Sequence, residues 1–214
     1  ELAKDNHGRA SSSPSFDRNR NAFKMSLGRS AEEEGTRLFR EAIEGNYVVL
    51  GWGGDIDWSA PEYAEFANIK ARWRQDHPDA TGNDPNSQQL FALRGGMQTG
   101  DLVIISDGNK KFRAIGEVTG PYQFVPGFNG EYNHRRSVKW LWRNPEGLAR
   151  ELIYARGFSQ VSTYQLDSEQ LDWPAIEQLV AGGGESAASG EREPYVLIID
   201  EINRGNVARI FGEL

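Results

Sequence analysis

The segment Thr99-Gly100-Asp101-Leu102-Val103-Ile104-Ile105-Ser106-Asp107-Gly108-Asn109 carries three structural signals in order. Gly-Asp turns the chain, Leu102 to Ile105 make an apolar strand, and Asp-Gly-Asn marks a hairpin. A return strand is predicted over residues 112–118, where Ala114, Gly116 and Val118 alternate with Arg113, Ile115 and Glu117. Further strands are expected at 122–124, 137–142 and 151–154, and upstream at 23–27 and 47–50. Helices interrupt this β-rich pattern. Ser30-Ala31-Glu32-Glu33 is a capping-box pattern, and Leu38, Phe39, Ala42 and Ile43 form an apolar face that stops at Gly45. Helices are also predicted over 61–76, 87–94 and 172–180, the last opened by Asp172-Trp173-Pro174. The fold class that follows is α+β, a small β-barrel with surrounding helices.

The chain of 214 residues allows one sizeable domain with appendages. Residues 1–20, rich in Ser, Asn, Arg and Asp, are expected to be a disordered tail. Residues 21–182 form the domain, and the small, polar, acidic stretch 183–193 reads as a linker before 194–214. No apolar run reaches the roughly 18 residues of a membrane span, and no signal-peptide core opens the chain. Cysteine is absent, which excludes disulfides and thiolate metal sites and fits a cytoplasmic protein. His7, His77 and His134 are too scattered to make a zinc set. The net charge of −7 is unevenly placed, because residues 1–160 are balanced and the acidic excess lies in 161–214. A balanced domain can read a nucleic acid through a pocket, but not through bulk charge.

The strand at 47–50 opens into Gly51-Trp52-Gly53-Gly54-Asp55-Ile56-Asp57-Trp58-Ser59. Glycines around two tryptophans let the backbone bend sharply and leave aromatic faces accessible. A base lifted from its stack needs such faces, plus hydrogen bonds to its edge. Trp52 and Trp58 are therefore the candidate stacking residues, with Ser106 and Asp107 as edge contacts and Asp55 as acceptor for an exocyclic amine. Arg135, Arg136 and Lys139 are candidate phosphate contacts. Plainer readings stand beside these: a tryptophan in a small barrel can be core, Ser106-Asp107-Gly108 can be only a turn, and Arg135-Arg136 an ordinary solvated edge. Trp73, Trp140, Trp142 and Trp173 are assigned to core or helix packing, and His134 to a structural or exposed role. The strand ending in Gly-Trp, the Gly-Asp-Leu-Val-Ile strand, Ala114-Ile115-Gly116-Glu117-Val118 and Val138-Lys139-Trp140 together resemble the EVE domain of the PUA-like group. That group is related to YTH domains, so the resemblance, over roughly 23–180, implies an aromatic pocket for a modified base.

A second signal lies in Tyr195-Val196-Leu197-Ile198-Ile199-Asp200-Glu201-Ile202-Asn203-Arg204-Gly205-Asn206. The apolar run reads as a buried parallel strand, and carboxylates at its carboxyl end fall where open α/β sheets place ligands. A buried strand ending in a solvated acidic turn is the alternative. With Ile210-Phe211-Gly212-Glu213-Leu214, the string resembles the Walker B segment of the McrB family, the AAA+ subunits of modification-dependent restriction systems. The resemblance implies Asp200 as the metal-associated acid, Glu201 as catalytic base, and Asn203 and Arg204 as motif residues. It further implies Mg²⁺ with GTP or ATP in the intact parent, a homo-oligomeric ring, and an McrC-like nuclease as partner.

No G-x-x-x-x-G-K-[ST] phosphate loop occurs in the sequence, and Gly182-Gly183-Gly184-Glu185-Ser186 lacks the lysine. The chain, which begins with Glu1, is therefore expected to be a fragment that carries a truncated AAA+ segment, binds no nucleotide productively and shows no turnover. The expected role is DNA recognition in an McrB-like subunit, through a modified base. An RNA-binding PUA-like reader and a protein-interaction module without a base pocket are the rival expectations.

Overall fold

The computed structural model describes residues 16–82, 84–126 and 131–183. Asp200, Glu201, Asn203 and Arg204, with the whole AAA+-like segment, lie outside the described residues, as do 1–15 of the expected tail and 184–193 of the expected linker. Six strands are found among the described residues: β1 (Ala22–Ser26), β2 (Tyr47–Leu50), β3 (Leu102–Asp107), β4 (Lys111–Phe124), β5 (His134–Ala149) and β6 (Thr163–Gln165). Four α-helices accompany them: α1 (Glu33–Gly45), α2 (Phe66–Asp76), α3 (Pro85–Phe91) and α4 (Trp173–Ala181). The strands form one curled sheet, a half-barrel in the order β2-β5-β4-β3-β1-β6. Only β1 and β3 run parallel, and the chain between them supplies α1, β2, α2 and α3 as a long crossover.

Both faces of the sheet are covered, which explains the unbroken apolar run at 102–105. Phe23, Met25, Val103 and Ile105 point into one cluster with Leu38, Phe39 and Ala42 of α1, Ile69 of α2 and Leu90 of α3. Ala22, Leu102, Ile104 and Ile115 point into the other, with Tyr154, Phe158 and Ile176 of α4. Each large apolar side chain buried in this way contributes about 1.5–3 kcal/mol.

Several local expectations are revised. Residues 61–76 are a 3-10 turn (Pro61–Ala64) and then α2, separated by Glu65 in an extended conformation (φ −99°, ψ 131°). The strands expected at 112–118 and 122–124 are one long strand. Residues 151–154 are not a strand, because the chain makes a 3-10 turn at Arg150–Leu152 and a single bridge from Tyr154 to Leu171. The capping box is not used either. Glu32 stands at the N-cap of α1 without a side-chain bond, and the Ser30 hydroxyl donates instead to Asp107 Oδ2 at 2.6 Å. Asp84 and Asp172 do cap α3 and α4 by accepting backbone N–H bonds.

Two glycines test how closely the crossover is packed. A Cβ on Gly35 would stand 2.3 Å from the Arg29 carbonyl oxygen, a backbone contact that cannot yield. Gly54 has positive φ (66°) but open space around it. Urea denaturation should show a loss of about 2–4 kcal/mol for Gly35→Ala and about 1 kcal/mol for Gly54→Ala.

Candidate nucleic-acid interface

The loop 51–60 leaves β2 at the sheet edge and is held by β5 and by the segment after α3. Gly53, at φ 117°, cannot be another residue: a Cβ there would lie 2.4 Å from His134 Nε2 and 2.6 Å from Leu90 Cδ2. His134 pins the loop. Its Nε2 lies 3.0 Å from the Gly54 carbonyl oxygen and its Nδ1 2.7 Å from Tyr122 Oη. A carbonyl only accepts, so Nε2 carries the proton and Nδ1 accepts from the Tyr122 hydroxyl. Burial holds the His134 pKa below its ordinary value, against the opposing pull of the Gly54 bond and of Asp57 and Asp55. Burial likewise raises the Tyr122 pKa. Both groups are neutral where they meet.

Asn133 adds a second pin by donating to Asp55 Oδ1 at 3.0 Å. The far end of the loop is clamped by Arg94, which donates to the carbonyl oxygens of Trp58, Ser59 and Ala60. Arg94 sits in a π-helical turn, Ala92–Gly96, closed by a bond from Met97 N–H to the Ala92 carbonyl at 2.8 Å. That wide turn leaves carbonyls unused by the helix. Arg136 on β5 takes them, donating to Leu93 O (2.7 Å) and Arg94 O (2.9 Å) as well as to Gly120 O on β4 (2.9 Å).

The residues expected to form the site therefore divide. Trp58, expected as a stacking face, is fully buried, meets Tyr63 edge-on at 4.9 Å and donates its indole N–H to Gly53 O. Its role is to fold the loop back on itself. Arg136, expected on phosphate, is a buried strut whose pKa is pushed down to about 10 by burial. Ser106 is buried with its hydroxyl 3.5 Å from the Met25 carbonyl, so it offers no edge to a ligand. Asp107 belongs to the lead into α1. Burial raises its pKa, but two hydrogen bonds from Ser30 and the charges of Arg113 and Lys111 outweigh this and hold it below the ordinary value.

Four other expected residues keep an outward aspect. Trp52 is half-buried, and its indole N–H is buried with no acceptor. Asp55 is exposed beside it in the loop. Arg135, opposite Val49 on β2, stacks over the Tyr47 ring at 4.4 Å, and Lys139 is exposed four residues further along β5. Tyr132, which the sequence did not single out, stands against the loop: a Cβ on Gly51 would touch its ring at 2.9 Å, and its hydroxyl donates to Glu34 of α1 at 3.1 Å. Nothing in a lone Tyr132 signals this role, which arises from pairing β2 with β5. Among the described residues no cluster of His, Cys, Asp or Glu could hold a metal ion, and no helix is long and apolar enough to cross a membrane.

The fold and the loop define an α+β half-barrel domain with a glycine-built, aromatic loop at one sheet edge. The DUF8426 family, described as a domain of unknown function, matches residues 23–167, and the chain belongs to that family. No curated protein matches it.

Two substitutions separate the pins. Arg136→Met strips a donor from three carbonyls, and urea denaturation should record a loss of about 2–4 kcal/mol. For His134 the folded pKa lies below the ordinary 6.5. The unfolded chain thus takes up the proton first as the pH falls, so stability is full above about 6.5 and declines below it, toward the folded value. The urea midpoint should drop between about pH 7 and pH 5, with a smaller drop in His134→Gln.

Proposed function

We propose that this chain is the recognition portion of an McrB-like restriction subunit and reads a modified base in DNA at the 51–58 loop. The observation that carries the reading is the indole N–H of Trp52, buried without an acceptor in a loop whose glycines keep the backbone close. An unmet buried donor costs about 1–3 kcal/mol, and a shift of the loop on binding would let the carbonyl or ring nitrogen of an extruded base meet it. Asp55 would accept from an exocyclic amine, while Arg135 and Lys139 would take phosphate oxygens. Trp58 and Arg136 then act by holding the loop rather than by touching DNA. In the intact parent, Asp200 and Glu201 would serve a motor using Mg²⁺ with GTP or ATP, in a ring that works with an McrC-like nuclease.

One observation favours a different reading. With Trp58 fully buried, only one of the two expected stacking faces remains, which suits a protein-interaction module. A titration of the full chain with short DNAs carrying unmodified, N6-methylated adenine or 5-substituted cytosine bases, at two salt concentrations, separates the two. Base reading gives at least about tenfold preference for one modified DNA, and Trp52→Ala costs about 1–3 kcal/mol of that affinity. Binding that ignores the modification and simply follows salt would transfer the assignment to the interaction module.

A further inference from the structure

On the other side of α3 from Gly53 lies a cleft of about 550 Å³, between α3, the Phe66 end of α2, and the β1–β6 edge. Its size is that of a small-molecule site. Phe91 of α3 and Phe66 of α2 meet at 5.5 Å and an angle of 52°, and Ala92 follows on the same wall. The floor is β1 and β6, where Phe23 pairs with Gln165 and Met25 with Thr163.

The cleft is built rather than incidental. Gln89, itself 4% exposed, ties wall to floor: its Nε2 donates to Pro85 O, and its Oε1 accepts from Ser162 N–H at 2.8 Å and Thr163 N–H at 3.3 Å. Thr163 lines the cleft at 1% exposure, and its hydroxyl has no hydrogen-bond partner. A buried hydroxyl in that state is rare, and a water or a ligand atom in the cleft would complete it. None of the lining residues is Asp, Glu, Lys, Arg or His. The Lys24 ammonium behind Val161 is already taken by that residue's carbonyl, so an ion entering would lose its water with no charged side chain of the lining to replace it. Flat rings, by contrast, pack well on the Phe66 and Phe91 edges, and the rim carries the carboxamides of Gln88 and Gln165.

We propose that this cleft is a second binding site, separate from the Trp52 loop, that takes an uncharged planar heteroaromatic small molecule with a lactam edge. Aromatic walls, an unmet hydroxyl on the floor and the absence of ionic side chains select that chemistry together. A nucleic-acid strand is disfavoured here, because no cation lines the cleft to meet its phosphates.

The test uses the full chain and two probes, quinazolin-4-one as the neutral lactam and quinoline-4-carboxylate as its anionic counterpart. Methyl and amide shifts by NMR should saturate with the lactam at Thr163 and Val161, with affinity at least about tenfold above the carboxylate. Thr163→Val removes the hydroxyl at constant shape. It should weaken the lactam about tenfold while leaving Tm unchanged or higher, since the folded protein gives up only an unpartnered group. Ala92→Phe should fill the cleft and abolish binding, and Trp52→Ala should leave lactam affinity unchanged. Equal affinity for the carboxylate would overturn the proposal, as would no saturable shift, shifts confined to the 51–58 loop, or full affinity in Thr163→Val.

Discussion

The guanidinium of Arg136 holds three carbonyls that no regular element satisfies, and the arrangement around both candidate sites depends on it. Two of those carbonyls belong to the π-turn after α3, and the third belongs to β4. With the turn fixed, Arg94 is aimed at the carbonyls of Trp58, Ser59 and Ala60, which closes the loop leaving β2. The same turn carries Ala92 on the wall of the cleft, one residue after Phe91. That buried cation and Gln89, which ties α3 to the start of β6, together hold α3 against the sheet, and α3 separates the Trp52 loop from the cleft. The cost of burying that charge is met by hydrogen bonds to backbone oxygens at close range, and the buried Asp101 carboxylate favours the charge against the repulsion of Arg94.

The two-sided sheet explains other buried charges. Arg113 is 1% exposed, donates to the carbonyls of Leu27, Gly28 and Gly35, and lies over the Phe39 ring at 4.0 Å. Lys24, 2% exposed on β1, donates to the Val161 carbonyl, and burial brings its pKa down to about 8. Both fasten loops to the sheet where a short domain has no room for further helices. A polar side chain in a strand with both faces covered has to find backbone acceptors, so these residues select the path of the loops beside them.

How much of the site could be read beforehand follows from the kind of information each residue carries. Glycines and tryptophans in one short loop announce an unusual backbone with aromatic cover, and the loop is indeed built on Gly53 and closed by Trp58. Which tryptophan turns inward was not legible, because it depends on where Gly53 O and Tyr63 come to lie. Arg135 and Arg136 look alike in sequence. Strand alternation puts them on opposite faces, one over Tyr47 and one against the π-turn. The cleft was not visible at all, since its parts come from residues 23, 66, 88, 89, 91, 92 and 163–165, and β6 is too short to signal itself.

By itself, the sequence determined the α+β class, the apolar strand at 102–105 with its hairpin, the helix at 33–45, the cap at Asp172, and the absence of disulfide chemistry. These depend on neighbours a few residues apart, through turn geometry, side-chain period and capping. Only the tertiary structure decided that 61–76 is broken at Glu65, that Ser30 serves Asp107 instead of a helix end, and that Trp58 and Arg136 are internal supports. It also decided that a cleft without ionic side chains opens between α3 and β6. Arg136 and Ser30 answer to partners far away in the chain, whereas Trp58 turns in on Gly53 and Tyr63 close by, in a loop whose path Arg94 and His134 fix from a distance. Local propensity is worth tenths of a kcal/mol per residue, and a buried hydrogen bond or a lost cavity outweighs it.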